Sequence, residues 1–246
     1  PATTQLWVFG ASAEGSLGMV RLGLEGDVFT GKVKDNSPAG ATPGSDLSGL
    51  NLMANAGVMV GPADVGLMVV YGSGQDPEKG RFRTDPTSKA KVNVNSLSPN
   101  FVLGNILLYN GRDTDREGSA PNFNGAGILA VKASAGFKNM PMGLPGGDVA
   151  VIWARTNEDQ ILGFDSTTGA PVLNTKHDIG VEIDLNFHHR FDENLMLNVG
   201  FGYLFAGDAA RVIQPNAAGG TITPAAVAAG RSDNVFQAAA GLAYTF

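Results

Sequence analysis

The chain has 246 residues, no cysteine and a formal net charge of −6, and only 16% of its residues are charged. The lack of cysteine excludes disulfides and thiolate metal sites, and an acidic balance without a basic stripe argues against nucleic acid as a partner. No run of about 18 apolar residues occurs, which excludes a transmembrane helix. The start at Pro1, without a basic and apolar leader, is typical of a mature product or an internal start.

Near the amino terminus, alternation predicts two strands. The first is Thr3–Ala11, where two aromatic and two aliphatic residues compete for the apolar side. A small polar turn is expected over Ser12–Ser16. The second strand, Met19–Thr30, alternates well. A soluble sandwich would turn its charged positions to water, whereas a barrel would point them into a polar lumen. These positions are Arg21, Glu25 and Asp27.

A strong hairpin follows a loop over Lys32–Asp46 that is rich in Gly, Pro, Asn and Ser. Leu50–Val60 alternates, Gly61–Asp64 is a tight-turn signal, and Val65–Gly72 alternates in return. The polar side of the first of these strands includes Asn51 and Asn55.

The pattern breaks over residues 73–125, which we interpret as one long extracellular or inward-folded loop. Most of this segment is charged or rich in Gly, Pro and Asn, but Phe101–Tyr109 is an apolar island without clean alternation. Either this island pairs as a strand, or it forms a short helix packed on or in the barrel. Topology favours a segment that does not span, because a single extra crossing would reverse every later strand.

Alternation resumes after residue 125. It predicts strands over Ile128–Phe137, Val149–Trp153, Asp178–His188 and Leu195–Phe205. A Pro/Gly turn joins the first two of these strands, and a turn at His189–Asn194 joins the last two. The polar sides of these strands carry Lys132, Glu182, Asp184 and Asn198.

Two long loops separate these later strands. They are Thr156–Lys176 and Asp208–Asp233, and within the second one Thr223–Gly230 has an N-cap, a first-turn proline and a terminal glycine. This pattern predicts one or two helical turns there.

The last strand, Val235–Phe246, has aromatic residues at both ends of its apolar side and ends on phenylalanine. Aromatic residues at strand ends are typical of strands that cross a membrane. Seven such residues near predicted strand ends are interpreted as interfacial girdles, and they are Trp7, Phe29, Tyr71, Trp153, Phe187, Phe205 and Tyr244. This ending resembles the assembly signal of Gram-negative outer-membrane β-barrels. The resemblance implies that barrel-assembly machinery engages the chain through Phe246.

Together, these elements predict one all-β domain over 1–246, a transmembrane antiparallel up-and-down β-barrel of about 9–10 strands with short periplasmic turns and long extracellular loops. Single-chain bacterial barrels normally have an even number of strands, whereas about nine are recognisable here. Either one strand is missed, or the chain is the carboxy-terminal part of a larger barrel.

The segment Asp192–Ala209 and the closing Ala243–Phe246 resemble the final hairpin of porin-type barrels, and most of all the alginate-export-like family of outer membranes. That family passes an anionic polysaccharide through an arginine-rich lumen. Here Arg21 and Lys132 are the only basic lumen candidates, so the resemblance carries over architecture and membrane but no substrate.

Candidate site residues are the polar positions of the strands. They either line a water-filled path or satisfy one another across a narrow interior. They are Arg21, Glu25, Asp27, Asn51, Asn55, Lys132, Glu182, Asp184 and Asn198, with Gln237 as a further polar position on the last strand.

No nucleophile constellation, phosphate loop or metal-ligand spacing occurs, so we expect no enzyme activity, no metal and no cofactor. The leading hypothesis is an outer-membrane porin or channel of a Gram-negative bacterium, for passive or export passage of polar solutes. The alternative is a structural barrel that holds a partner, for example an electron-carrying protein. The lipid bilayer is the expected partner in both cases, with either a protein partner or a homo-oligomer in addition.

Overall fold

A computed structural model of the chain describes residues 2–35, 45–74, 91–93, 126–137, 146–164, 171–210 and 234–244. The described residues form twelve strands and one short 3-10 helix, Asp208–Ala210. The strands are β1 (Ala2–Leu17), β2 (Val20–Asp35), β3 (Ser45–Val60), β4 (Ala63–Gly72), β5 (Lys91–Asn93), β6 (Ile128–Phe137), β7 (Gly146–Arg155), β8 (Gln160–Phe164), β9 (Pro171–Asn174), β10 (Asp178–Arg190), β11 (Leu195–Ala206) and β12 (Val235–Tyr244).

Nine strands form one antiparallel path in the order β1-β2-β3-β4-β6-β7-β10-β11-β12. The all-β antiparallel prediction is therefore confirmed. β5 pairs in parallel with Asp46–Ser48 of β3, beside the part of β3 that pairs with β4. β8 and β9 form a separate hairpin within the stretch predicted as the loop Thr156–Lys176.

Among the described residues the sheet is open rather than closed into a barrel, because β1 pairs only with β2 and β12 only with β11. Neighbours along the path are antiparallel, so the first and ninth strands run in the same direction. Direct pairing between β1 and β12 would be parallel. Closure by antiparallel pairing alone needs an odd number of additional strands.

Connection length divides the sheet into two ends, which we call the turn side and the loop side. On the turn side, β1–β2, β3–β4, β6–β7 and β10–β11 are joined by two, two, eight and four residues. On the loop side, β2–β3, β4–β6, β7–β10 and β11–β12 are joined by nine, 55, 22 and 28 residues. This asymmetry agrees with the arrangement expected from the sequence.

The first turn lies further along the chain than predicted. β1 continues through Ser12–Ser16, and the turn is Gly18–Met19, between the paired residues Leu17 and Val20. The expectation was wrong because the polar residues of this stretch alternate along one side of a continuing strand. Gly18 has φ +61°, a conformation favoured for glycine at the first position of a two-residue hairpin turn.

Most other strand predictions are confirmed within a few residues, and β6 has the predicted bounds. β2 and β3 extend further on the loop side than predicted, to Asp35 and from Ser45. The predictions for Phe101–Tyr109, Thr223–Gly230 and Phe246 lie outside the described residues.

The strand register places unlike side chains on the two faces of the sheet. Directly paired residues share a face, so one row can be followed from β1 to β12. One such row consists of Gly15, Leu22, Ala56, Leu67, Ala133, Val151, Ile183, Tyr203 and Phe236. We call the face that bears this row the apolar face, and the opposite face the polar face.

The apolar face carries most of the exposed large apolar side chains of the described strands. Leu24 is 58% exposed, Val151 46% and Phe236 64%. Among the described side chains of this face, charged ones lie only at loop-side strand ends, and they are Lys32, Asp46, Arg155 and Asp178. Apolar surface that is continuous over nine strands far exceeds the few hundred Å² that monomeric soluble proteins expose in one patch.

The buried core lies on the other side of the sheet, on the polar face near the loop side. Its largest fully buried apolar members are Ile152, Ile179 and Val70. Small residues of neighbouring strands fill the spaces between these side chains. The complete cluster is Val70, Ile128, Ala130, Ile152, Ala154, Ile179, Leu204 and Ala209.

Candidate functional site

The register brings all nine predicted lumen residues to the polar face. One row runs from Asn55 of β3 through Lys132 of β6 to Glu182 of β10, with Met68 and Ile152 between them. The other six predicted residues also lie on the polar face. Each is an even number of positions along its own strand from a residue of this row, or from a residue that pairs with the row. They are Arg21, Glu25, Asp27, Asn51, Asp184 and Asn198.

A cavity of about 910 Å³ lies against the turn-side half of the polar face. Its lining extends from Glu14 of β1 to His188 of β10, so the sheet curls around it. Of the nine predicted residues, Arg21, Asn55 and Lys132 line this cavity. Further polar side chains of the lining are Glu14, Ser16, Asp64, Ser134, Asp148 and His188.

Arg21 reaches across one strand to pair with Asp64. The guanidinium Nη2 donates to Asp64 Oδ1 at 2.5 Å, and the two side chains are 52% and 23% exposed. Between them lies Gly57, where a Cβ atom would stand 3.1 Å from Arg21 Nη2. Glycine at this position therefore gives the long side chain its path along the floor of the cavity.

The far wall of the cavity is held by a second polar pair. Asn186 Nδ2 donates to Asp148 Oδ2 at 2.9 Å, and the two residues are direct partners on β10 and β7. Beside them His188 pairs with Gly146, and its imidazole occupies the space that a side chain at residue 146 would need. These contacts fix the positions of polar groups along the turn-side wall.

Glu182 and Asp184 lie deeper, between the cavity and the apolar cluster. Glu182 is 0% exposed and Asp184 1%. Burial of a carboxylate is costly unless polar partners compensate for it, and both residues take part in polar interactions. They separate a polar turn-side half from an apolar loop-side half of the same face.

Three strand ends on the loop side are tied together near the apolar cluster. Asn157 Nδ2 donates to the Gly72 carbonyl at 2.6 Å. The backbone N–H groups of Asn157 and Glu158 donate to the Ala126 carbonyl at 3.2 and 3.0 Å. The ends of β4, β6 and β7 are therefore joined by one compact group of hydrogen bonds.

We expect Asn157→Ala to destabilise the protein by about 1–3 kcal/mol, because it leaves a part-buried carbonyl without its side-chain donor. Asn194→Ala is the matched control, since that residue is exposed and is held through its backbone N–H. Urea unfolding of both variants measures the difference. Equal stability of the two would show that the Asn157 bond contributes nothing to the loop side.

Sequence reasoning missed a polar cluster at the loop side. Thr156 Oγ1 lies 3.1 Å from His177 Nδ1, and His177 Nε2 lies 3.3 Å from Asp159 Oδ1. The order of groups is that of a nucleophile, a base and a carboxylate. Thr156, however, is 0% exposed and also donates its backbone N–H to the His177 carbonyl, so the cluster holds the end of β7 to the start of β10.

No sequence signal pointed to this cluster, because Thr156 and His177 are 21 residues apart. In the part of the chain that the structure describes, no group of three His, Asp or Glu side chains has a geometry that could hold a metal ion. Within the same ranges, no helix has the length and apolarity needed to cross a membrane.

The aromatic residues at strand ends divide between the two faces. Trp153, Phe187 and Phe205 are exposed and lie on the apolar face. Trp7 lies on this face too, but in the middle of β1. The girdle interpretation is wrong for Phe29, which is 6% exposed and lies on the polar face with Asp27.

Comparison with known proteins adds no family. No protein-family model matches the chain, and no curated protein is significantly similar to it.

Proposed function

We propose that this chain forms the wall of a transmembrane β-barrel in the outer membrane of a Gram-negative bacterium and passes polar solutes, passively or in export. The observation that carries the proposal is the apolar face, which is exposed and continuous over nine strands. In water such a face would drive aggregation, whereas in a bilayer it is the surface that lipid chains cover.

Strand length and end asymmetry support the same proposal. A strand tilted in a bilayer needs about 9–11 residues to cross, and each strand of the nine-strand path has 10–16. Short connections at one end and long ones at the other are typical of outer-membrane barrels. The turn side is then periplasmic and the loop side extracellular. Assembly through Phe246 belongs to the same proposal.

The polar cavity supports passage of solutes. It lies on the face opposite the lipid, and charged and hydroxyl side chains from β1 to β10 line it. Such side chains provide hydrogen bonds to replace those that a solute makes with water.

Planar-bilayer recording tests the channel. Step-like conductance from the purified, refolded protein is the expected result. A gel shift between heated and unheated samples in detergent tests the barrel separately, because a folded barrel migrates differently from the denatured chain. A protein that shows the heat-dependent gel shift but no conductance would contradict the proposed channel and still support the proposed barrel.

A structural barrel that holds a partner protein is the second candidate. The apolar cluster favours it, since this cluster fills the loop-side part of the polar face where an open pore would hold water. Bilayers that stay silent with a heat-modifiable protein would support this candidate.

A further inference from the structure

The polar face carries far more acidic than basic side chains. Along the nine strands, the described side chains of this face include seven carboxylates against three basic groups, a formal net charge of −4. The carboxylates are Glu14, Glu25, Asp27, Asp64, Asp148, Glu182 and Asp184, and the basic groups are Arg21, Lys132 and Arg190.

The positions of the three basic groups limit how many carboxylates of the polar face they can neutralise. Arg21 is paired with Asp64 at 2.5 Å, and Arg190 is the last residue of β10, exposed at the turn-side end. Lys132 is the one basic side chain in the middle of the described polar face, and the carboxylate of Glu182 lies two strands away on its own row. The middle of the face is therefore acidic.

The acidic residues are spread over the polar face rather than gathered at one spot, and Glu14, Asp64 and Asp148 line the cavity itself. Glu25 and Asp27 are on β2, and Glu182 and Asp184 are on β10, with β3, β4, β6 and β7 between them. Both sets lie on the polar face, the same face against which the cavity lies. A low-dielectric wall focuses such a field along the path that it encloses.

We propose, on the basis of the proposed pore, that its path prefers cations to anions and admits small cationic and neutral solutes rather than anionic polymers. Acidic side chains around a pore attract cations and repel anions, as in cation channels. This preference is opposite to the one that an arginine-rich lumen gives.

The reversal potential in planar bilayers under a KCl gradient tests the preference. The current through the wild-type protein is expected to reverse at a potential whose sign shows that K⁺ permeates more readily than Cl⁻. The potential should shrink as salt rises, because the Debye length falls from about 10 Å at about 0.1 M to about 3 Å at about 1 M. Spermine, a small polycation, should reduce the current at low salt, and dextran sulfate should not.

Variants locate the effect. Glu25→Gln with Asp27→Asn should shift the reversal potential toward zero. Asp46→Asn is the matched control, because this carboxylate lies on the apolar face at a loop-side end, and it should leave the potential unchanged. The wild-type measurement decides the sign even if the double variant fails to fold.

The outcomes separate the two proposals. Conductance with a reversal potential at zero, or of the sign for Cl⁻, overturns the cation preference and leaves the pore intact. Absence of conductance overturns the pore, and the preference with it.

Discussion

Lysine at Ala240 is expected to destabilise the protein in a phosphocholine bilayer by about 2–4 kcal/mol, the cost of a basic side chain near the bilayer midplane on a lipid-facing strand. Ala240 lies on the apolar face of β12, where it pairs with Val199. The flanking aromatic residues Phe236 and Tyr244 place it near the middle of the apolar stretch. Reversible urea unfolding from lipid vesicles measures the change.

Lysine at Ala239 is the matched control. The two positions are adjacent, exposed alanines of the same strand and differ in the face that they occupy, since Ala239 pairs with Gly200 on the polar face. We expect this substitution to change the stability by about 0–1 kcal/mol, because in the proposed barrel the new ammonium group faces the water-filled interior. Similar small effects at both positions would mean that both faces are solvated, because surface substitutions in soluble proteins usually change the stability only slightly.

Leu204→Ala is expected to cost about 2–5 kcal/mol, the range for Leu→Ala at sites that cannot collapse around the lost methyl groups. Leu204 is 5% exposed and belongs to the apolar cluster on the polar face, together with Ile152 and Ile179. Its truncation leaves a cavity among side chains that the neighbouring strands hold in place.

The same substitution at Leu242 separates the cavity cost from the loss of apolar surface. Leu242 is 69% exposed on the apolar face of β12. In the proposed barrel, lipid chains adapt to the smaller side chain there, so about 1.5–3 kcal/mol of lost transfer energy is the upper limit. Unfolding of both variants in the same vesicles gives the comparison. A cost at Leu204 no larger than at Leu242 would show that water, not packed side chains, fills the loop-side interior.

Strand pattern and facing could be predicted from the sequence because they depend on nearest neighbours. Apolar and polar environments on the two sides of a strand leave a period of two in the residues. This is why all nine predicted lumen residues, from Arg21 to Asn198, lie on one face. The turn prediction at Ser12–Ser16 was wrong, because this segment of β1 has alternating polar residues and therefore a composition typical of a turn.

Features that depend on residues distant in the chain could not be predicted. Phe29 lies two residues after Asp27, so its place on the polar face could be predicted, but its burial beside Gly49 and Val8 of the neighbouring strands could not. The burial of Glu182 and the contacts of Thr156 with His177 come likewise from elements that meet only in the fold. Alternation shows that a face is polar, but it does not show which part of that face is packed.

Contact between the apolar face and lipid chains is tested most directly by the fluorescence of the two tryptophans. The chain has only two, and both Trp7, 65% exposed, and Trp153, 38% exposed, lie on this face. In vesicles that contain brominated lipids, whose bromine atoms quench tryptophan on contact, we expect strong quenching of both residues and little quenching by aqueous iodide. Efficient quenching by iodide with none by brominated lipid would contradict the account.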